Sequence, residues 1–280
     1  MKFFFGIFLL IITATFASAD DKVSSKISEY IFNIIPGEGT TEVSVDFREN
    51  YKPDYSILLV RELSSDENGN IFSQFSLFNT EKLNDERIVA NLGVGKRFLS
   101  DDKTLMTGLN AFFDGDEDGN LRSSLGGEVR NAVLGLSTNY YQGIQDADGE
   151  KVLDGYDLEL NSQVPYLHWA KAFVSTYKFD GRERQDIEGT KLGTDMQLSP
   201  SISLEAAYDD KDKKGMDDEY YVNFMFNFPP REGPNMTIDG IAATAWKEDK
   251  DMTGELLSKV KRQNKIIVEF NVTTTISRLD

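Results

Sequence analysis

The chain has 280 residues, with 30 Lys and Arg against 47 Asp and Glu, a net charge of -17, one His and no Cys. That charge argues against nucleic acid as a partner, since phosphate backbones are repelled and no long basic stripe offsets the excess. Without Cys there is no disulfide framework, thiolate nucleophile or Cys-ligated metal, and one His excludes any site built on two imidazoles.

At the N-terminus Lys2 precedes an apolar run from Phe3 to Phe16, and Ala17-Ser18-Ala19 is a small-residue cleavage site. This predicts a secretory signal peptide over 1–19, cut after Ala19; the run is too short to span a bilayer as a helix. A Cys-free exported chain suits the bacterial envelope. Residues 20–40 form a short periplasmic segment, in which 22–35 reads as a helical stretch ending before Pro36-Gly37. From Thr41 to Phe228 apolar and polar residues alternate in segments bounded by Gly, Asp, Asn or Pro. Strands are predicted at 41–49, 54–62, 70–80, 86–98, 103–114, 121–131, 132–143, 153–164, 166–179, 187–199, 201–211 and 217–228. Short turns near Asp101, Asn131, Pro165 and Pro200 alternate with long polar loops after Asp114, Gln145, Asp180 and Asp209, so the two kinds lie on opposite rims.

No internal stretch approaches the roughly 18 apolar residues of a membrane helix, so strands must do any spanning. An even strand count with tight turns on one rim and long loops on the other predicts an all-β fold, a 12-stranded antiparallel transmembrane β-barrel over 41–228. A soluble sandwich is the rival, because it too has an apolar and a polar face. The polar face decides for the barrel. It is rich in Gly and carries both signs, including Arg97, Arg122, Glu128, Asp157, Glu159, Lys171, Lys191, Asp195 and Glu205, as expected of a confined wet lumen. Phe98, Phe113, Tyr140, Trp169, Tyr177, Tyr208 and Tyr220 lie near strand ends and are expected in the interfacial aromatic girdles.

The run Asn91-Leu92-Gly93-Val94-Gly95-Lys96-Arg97-Phe98, the run from Met106 to Asp114 and Leu125-Gly126-Gly127-Glu128 resemble the β-domain of inverse autotransporters, the intimin and invasin family. Gly155-Tyr156-Asp157, Lys191-Leu192-Gly193 and the run from Arg262 to Phe270 agree with it. The resemblance implies an outer-membrane barrel with both strand ends in the periplasm, followed by a segment that threads back through the pore to carry a passenger outside. Such adhesins place immunoglobulin-like and lectin-like modules after the barrel, and many place a peptidoglycan-binding module before it. Here the sequence ends at Asp280 and 20–40 is too short for that module. The expectation is therefore a translocator and anchor whose adhesive passenger is missing, supplied by a partner, or formed by the tail itself.

Gly93, Gly95, Gly108, Gly126 and Gly135 share the inward parity with Asn91, Arg97, Asn110 and Glu128. They leave one side of the lumen without bulky side chains, where a polypeptide can lie against the wall; the alternative is that they only permit strong coiling of a small barrel. The tail, 229–280, begins at Pro229-Pro230, reads as a short amphipathic helix over 254–261 and a strand over 265–275, and either threads the lumen or folds in the periplasm.

Asp114-x-Asp116-x-Asp118-Gly119 copies half a calcium loop, but its twelfth position is Leu125, so a solvated hairpin with no metal is expected. The acidic clusters at Asp146 to Asp148 and Asp209 to Asp218 are read as solvated surface that bridges through divalent ions to lipopolysaccharide. His168 lies beside the short turn at Pro165, on the rim away from where an outer-membrane phospholipase needs its Ser/His pair. No catalytic residue and no cofactor are expected; the rivals are a porin-like passive channel and, more remotely, a lipid hydrolase. Expected partners are the lipid bilayer, lipopolysaccharide, the barrel-assembly machinery with periplasmic chaperones, and an unidentified surface ligand.

Overall fold

The computed structural model describes residues 38–49, 51–82, 85–212, 218–247 and 251–270. The expected signal peptide with Ala17 and Ala19, the helical stretch at 22–35 and everything past Phe270 lie outside the described residues. The strands are β1 (Gly39–Arg48), β2 (Asp54–Asp66), β3 (Gly69–Lys82), β4 (Asp85–Leu99), β5 (Leu105–Asp116), β6 (Leu121–Asn131), β7 (Leu134–Gln145), β8 (Glu150–Val152), β9 (Gly155–Val164), β10 (Leu167–Phe179), β11 (Ile187–Ser199), β12 (Ile202–Lys211), β13 (Glu219–Phe228) and β14 (Val268–Phe270). All but β8 and β14 form one closed antiparallel barrel of twelve strands, sealed where β1 pairs with β13 from Thr41↔Phe228 to Arg48↔Tyr221. Closure leaves no strand edge to satisfy in lipid.

The side-chain distribution is inside out. In β5, Leu105, Leu109 and Phe113 are 39, 66 and 48% exposed, while Met106, Asn110, Phe112 and Asp114 between them are buried. Arg97 and Arg122 are among the largest fully buried side chains, and Leu92, Leu125 and Leu160 face outward. A soluble sandwich buries its leucines; only a barrel whose outer solvent is hydrocarbon reverses the order.

Turns at 67–68, 100–104, 132–133, 165–166 and 200–201 share one rim, and the segments 146–154 and 180–186 share the other with the end of β12 and the start of β13. In outer-membrane barrels the short-turn rim faces the periplasm. In the 100–104 turn, the Asp102 carboxylate accepts from the Ser100 hydroxyl and from the Thr104 N–H and hydroxyl, which holds it below its ordinary range. On the long-loop rim, Lys151 bonds to Glu183 and lowers that carboxyl likewise.

After β13 the tail follows the periplasmic rim before turning inward. The Arg231 N–H donates to the Pro200 carbonyl, and the short helix α1 (Met236–Asp239), capped by Asn235, follows. Tyr166 and the tail exchange two backbone bonds, Ala242 N–H to Tyr166 and Tyr166 N–H to Ala245, and Met252 N–H reaches Lys103. The helix expected over 254–261 is not formed: a single 3-10 turn (Met252–Glu255) gives way to irregular chain with bends at Ser258, Arg262 and Lys265. The reason is competition: such a helix would pair the Val260 N–H with the Leu256 carbonyl, but the wall takes both, Arg97 and Asn70 donating to that carbonyl and Gln74 accepting from that N–H.

Candidate functional site

The tail enters the lumen at Leu256 and leaves it at Ile267. These twelve residues span at most about 40 Å when extended, enough to cross a hydrocarbon core of about 30 Å. Main-chain polar groups crossing a pore need partners as strictly as those in a core, and the wall supplies them in sequence. Arg97 donates to the Leu256 and Ser258 carbonyls at 2.7 and 2.8 Å, and the Val260 N–H donates to Gln74 at 2.8 Å. Higher up, Asn139 donates to the Lys261 carbonyl at 2.9 Å, and Arg122 donates to those of Gln263 and Lys265 at 2.7 and 2.9 Å. Asn91 donates to the Asn264 carbonyl at 3.1 Å.

The arginines are held in place by stacking. The Arg97 guanidinium lies 4.3 Å over the Phe72 ring, Arg122 lies 4.4 Å over Tyr141, and the tail's Arg262 lies 4.2 Å over Phe112. Each such contact is worth about 0.5–2 kcal/mol. Phe72 and Phe112 in turn cover Gly95 and Gly93, their register partners on β4. A Cβ at Gly95 would stand 2.4 Å from Phe72 and one at Gly93 2.3 Å from Phe112. Glycine thus lets an aromatic ring lie flat on the wall, the cross-strand pairing that protects backbone at glycines in sheets.

This corrects the expectation of a wall without bulky side chains. The five glycines do face the lumen, but neighbours cover them: Glu128 over Gly108, Asn110 and Asn139 over Gly126, and Asn161 over Gly135. The tail rests on that second layer rather than on the glycines.

Charge fixes the tail's register. Arg262 and Arg122 converge on Asp114, at 2.7 and 2.8 Å, and all three side chains are fully buried. Arg97 and Arg130 share Glu128. On the other side Lys259 meets Glu42, Lys261 meets Asp195 and Lys265 meets Asp54, each at 2.7 Å. Apolar contacts alternate with these pairs: Val260 packs with Leu58, Val60, Phe72 and Phe112, and Ile266 with Phe78, Val89 and Val152. At the long-loop rim β14 pairs with β8, and Glu269 accepts from the Arg182 and Glu183 N–H groups. The strand expected over 265–275 is therefore observed as Val268–Phe270, with 271–275 outside the described residues.

Of the expected girdle, Phe98, Phe113, Tyr140 and Tyr220 are 42, 48, 53 and 62% exposed on the outer face, and Tyr208 stacks on Tyr220 at 4.8 Å. Trp169 lies at the periplasmic rim, donating to the Gly240 carbonyl of the tail. Tyr177 is not in the girdle. It points into the lumen, packed with Tyr141, Leu153 and Phe179, and donates to Asp209. Asp209, expected on the solvated surface, is accordingly inside.

Of the three calcium-loop carboxylates, Asp114 belongs to the lumen and Asp116 caps its own turn, accepting from the N–H groups of Asp118, Gly119 and Asn120. Oxygens of Asp116, Asp118 and Glu150 lie within 4.8 Å of one another. The cation among them is Arg87, at 3.0, 3.1 and 2.6 Å. His168 places its Nε2 2.9 Å from the Thr244 carbonyl oxygen of the tail.

The family description "Inverse autotransporter, beta-domain" matches residues 13–264. The chain belongs to the inverse autotransporter β-domain family. Inverse autotransporter barrels of this kind reside in the bacterial outer membrane, and the outward leucines and buried arginines are its physical signature here. A solved chain from work on the in-meso crystallization of membrane proteins shares 19% identity and a TM-score of 0.63, covering 83% of this chain and 99% of its own. The KdgM porin has 9% identity and a TM-score of 0.45, covering 67% and 98%. The COG4313 outer membrane channel from Pseudomonas putida F1 has 9% identity and a TM-score of 0.48, covering 69% and 97%. At these identities the likeness concerns fold alone. No curated protein matches the chain in sequence.

Proposed function

We propose that the protein is an outer-membrane translocator and anchor that carries its own C-terminal segment through its lumen and presents it at the cell surface. The observation that carries this reading is the tail itself. It enters at the short-turn rim, takes wall partners for its main-chain groups from Leu256 to Lys265, and emerges to pair with β8 among the long loops. A chain folded back into the periplasm needs none of those partners. A permanently open porin-like channel fits less well, because the tail crosses the lumen bonded to its wall. A hydrolase fits least, because the one His is bonded to the tail backbone on the periplasmic rim.

In this reading the outer leucines meet lipid, the long loops meet lipopolysaccharide, and the barrel-assembly machinery and chaperones that serve outer-membrane barrels insert the chain. What is displayed is whatever continues from Phe270, and an adhesive role depends on that segment. The test is an epitope tag after Asp280 in intact cells. Antibody labelling and removal by added protease without permeabilisation is the expected result; a tag reached only after the outer membrane is permeabilised overturns export.

A further inference from the structure

Between Asn235 and Trp246 the tail carries one ionisable side chain, Asp239, in a chain of which 28% of residues are charged. Its apolar side chains are not buried. Ile238 and Ile241 are 74 and 82% exposed, more than the outward Leu109 and Leu125 at 66 and 67%, and Met236, Trp246 and the neighbouring Tyr166 are exposed with them. Single apolar residues on a surface are ordinary, whereas a run of them on one segment marks a contact surface.

The backbone of this segment is occupied by the barrel. Trp169 Nε1 donates to the Gly240 carbonyl at 2.6 Å, His168 Nε2 lies 2.9 Å from the Thr244 carbonyl oxygen, and Ala242 and Ala245 bond to Tyr166. The Gly240 N–H donates to the Met236 carbonyl, and the Asp239 carboxylate accepts from the Asn235 N–H. These polar groups already have the partners that an apolar medium demands.

The strands beneath show on which side the segment lies. Ala170 pairs with Met196 on the outward parity shared by Val174 and Leu192, which also pair. Val174 and Leu192 are 39 and 55% exposed, yet Ala170 is only 3% exposed and Met196 is half-buried. The outer face is therefore covered at the periplasmic ends of β10 and β11, the two strands against which α1 packs.

We propose that residues 235–246 form an interfacial strap on the outer shoulder of the barrel, with Met236, Ile238, Ile241 and Trp246 set into the phospholipid leaflet on the periplasmic side. Continuity with the lipid-facing wall selects lipid over a periplasmic protein as the occupant, and near-absence of charge with Trp at the edge is the composition of a segment lying in that boundary. The strap needs the barrel's seat in the membrane and is independent of export.

The test uses the full chain refolded into vesicles of phosphatidylethanolamine and phosphatidylglycerol, with folded barrels identified by heat-modifiable gel mobility. Because the chain has no Cys, nitroxide labels go singly onto Ile238→Cys and Ile241→Cys, and their collisions with oxygen and with a water-soluble nickel chelate are compared by electron paramagnetic resonance. Oxygen access is expected to exceed nickel access several-fold at both sites, as at Leu125→Cys on the lipid-facing wall, with the order reversed at Glu232→Cys and Lys247→Cys on the flanks. Nickel access at 238 and 241 equal to that of the flanks places the strap in water and overturns the proposal. Shielding from both reagents seats the strap on protein, this chain or a second copy, and overturns it as well. The tag after Asp280, read on the same chains in cells, keeps the two readings apart. A surface tag with a water-exposed strap retains export and removes the lipid contact, and a lipid-seated strap with a hidden tag does the opposite.

Discussion

The two sides of the lumen treat charge differently. On the β4 to β7 side, Arg97, Arg122 and Asp114 have no exposed side-chain surface and are bonded to the tail or to one another. On the β11 to β13 side, Lys191, Lys211, Asp195 and Glu205 keep side-chain exposures of 23, 18, 25 and 16%. A fully buried charge is tolerated only with a fixed partner, whereas a half-solvated one is stabilised by water whatever its neighbour does. The first side therefore holds the tail through fully buried charge, and the second holds it, through Lys261 with Asp195 and Glu205, by charge that water partly screens.

The sharpest way to break that contrast is Asp114→Ala. It strands the buried Arg122 and the tail's Arg262 together, and removing one partner of a buried ion pair costs about 3–5 kcal/mol. Urea unfolding of the refolded barrel in micelles should show that loss, with new protease cleavage between Val260 and Ile267. A loss below about 1 kcal/mol, the scale of an exposed pair, would mean that water reaches this side as well.

Arg97→Gln comes next. Glu128 keeps Arg130, so no anion is orphaned, and the expected loss is that of hydrogen bonds to a charged group, about 1.5–3 kcal/mol. Because the chain has no Cys, Ser258→Cys provides a unique label. Its reaction with a periplasmically added thiol reagent should quicken when Arg97 is replaced, since that guanidinium holds the Ser258 carbonyl. Gly95→Ala attacks the layer beneath. Its Cβ would meet Phe72 at 2.4 Å and the Leu109 carbonyl at 2.9 Å, and the strain, typically about 1–3 kcal/mol, should displace the ring on which Arg97 stacks. Unchanged unfolding and unchanged Ser258→Cys labelling would show that the ring is not a support.

The barrel was legible in the sequence because lipid imposes one rule on every strand: alternate residues must be apolar over the whole span. Leu105, Leu109 and Phe113 against Gly108, Asn110 and Asp114 carry that rule without reference to any neighbour. The threaded tail was not legible in the same way. From Leu256 to Ile267 its conformation is set by Arg97, Arg122 and Asn139 on distant strands, so its own pattern admitted a helix that the wall overrules. β8 and β14 are three residues each and exist only by pairing with one another. Tyr177 was misplaced although the signal was present, for it lies six residues after the inward Lys171 and shares its parity; proximity to a strand end was given more weight than face. The stacked rings carried a signal too, since Phe72 and Phe112 are the inward residues opposite Gly95 and Gly93 once the register is drawn.

Lys191→Ala gives the smallest effect and tests the other side directly. Its Nζ stands 3.9 Å from Asp209 and 5.3 Å from the centre of the Tyr177 ring, and the side chain is partly solvated. Asp209 retains the Tyr177 hydroxyl as a donor, so no buried charge is abandoned. The expected cost is under about 1 kcal/mol, as for a pair that water already screens, with labelling of Ser258→Cys unchanged because the tail touches neither residue's ion pair. A loss as large as that of Asp114→Ala would place both sides of the lumen under one rule, and the contrast between fully buried and partly screened charge would have no physical basis.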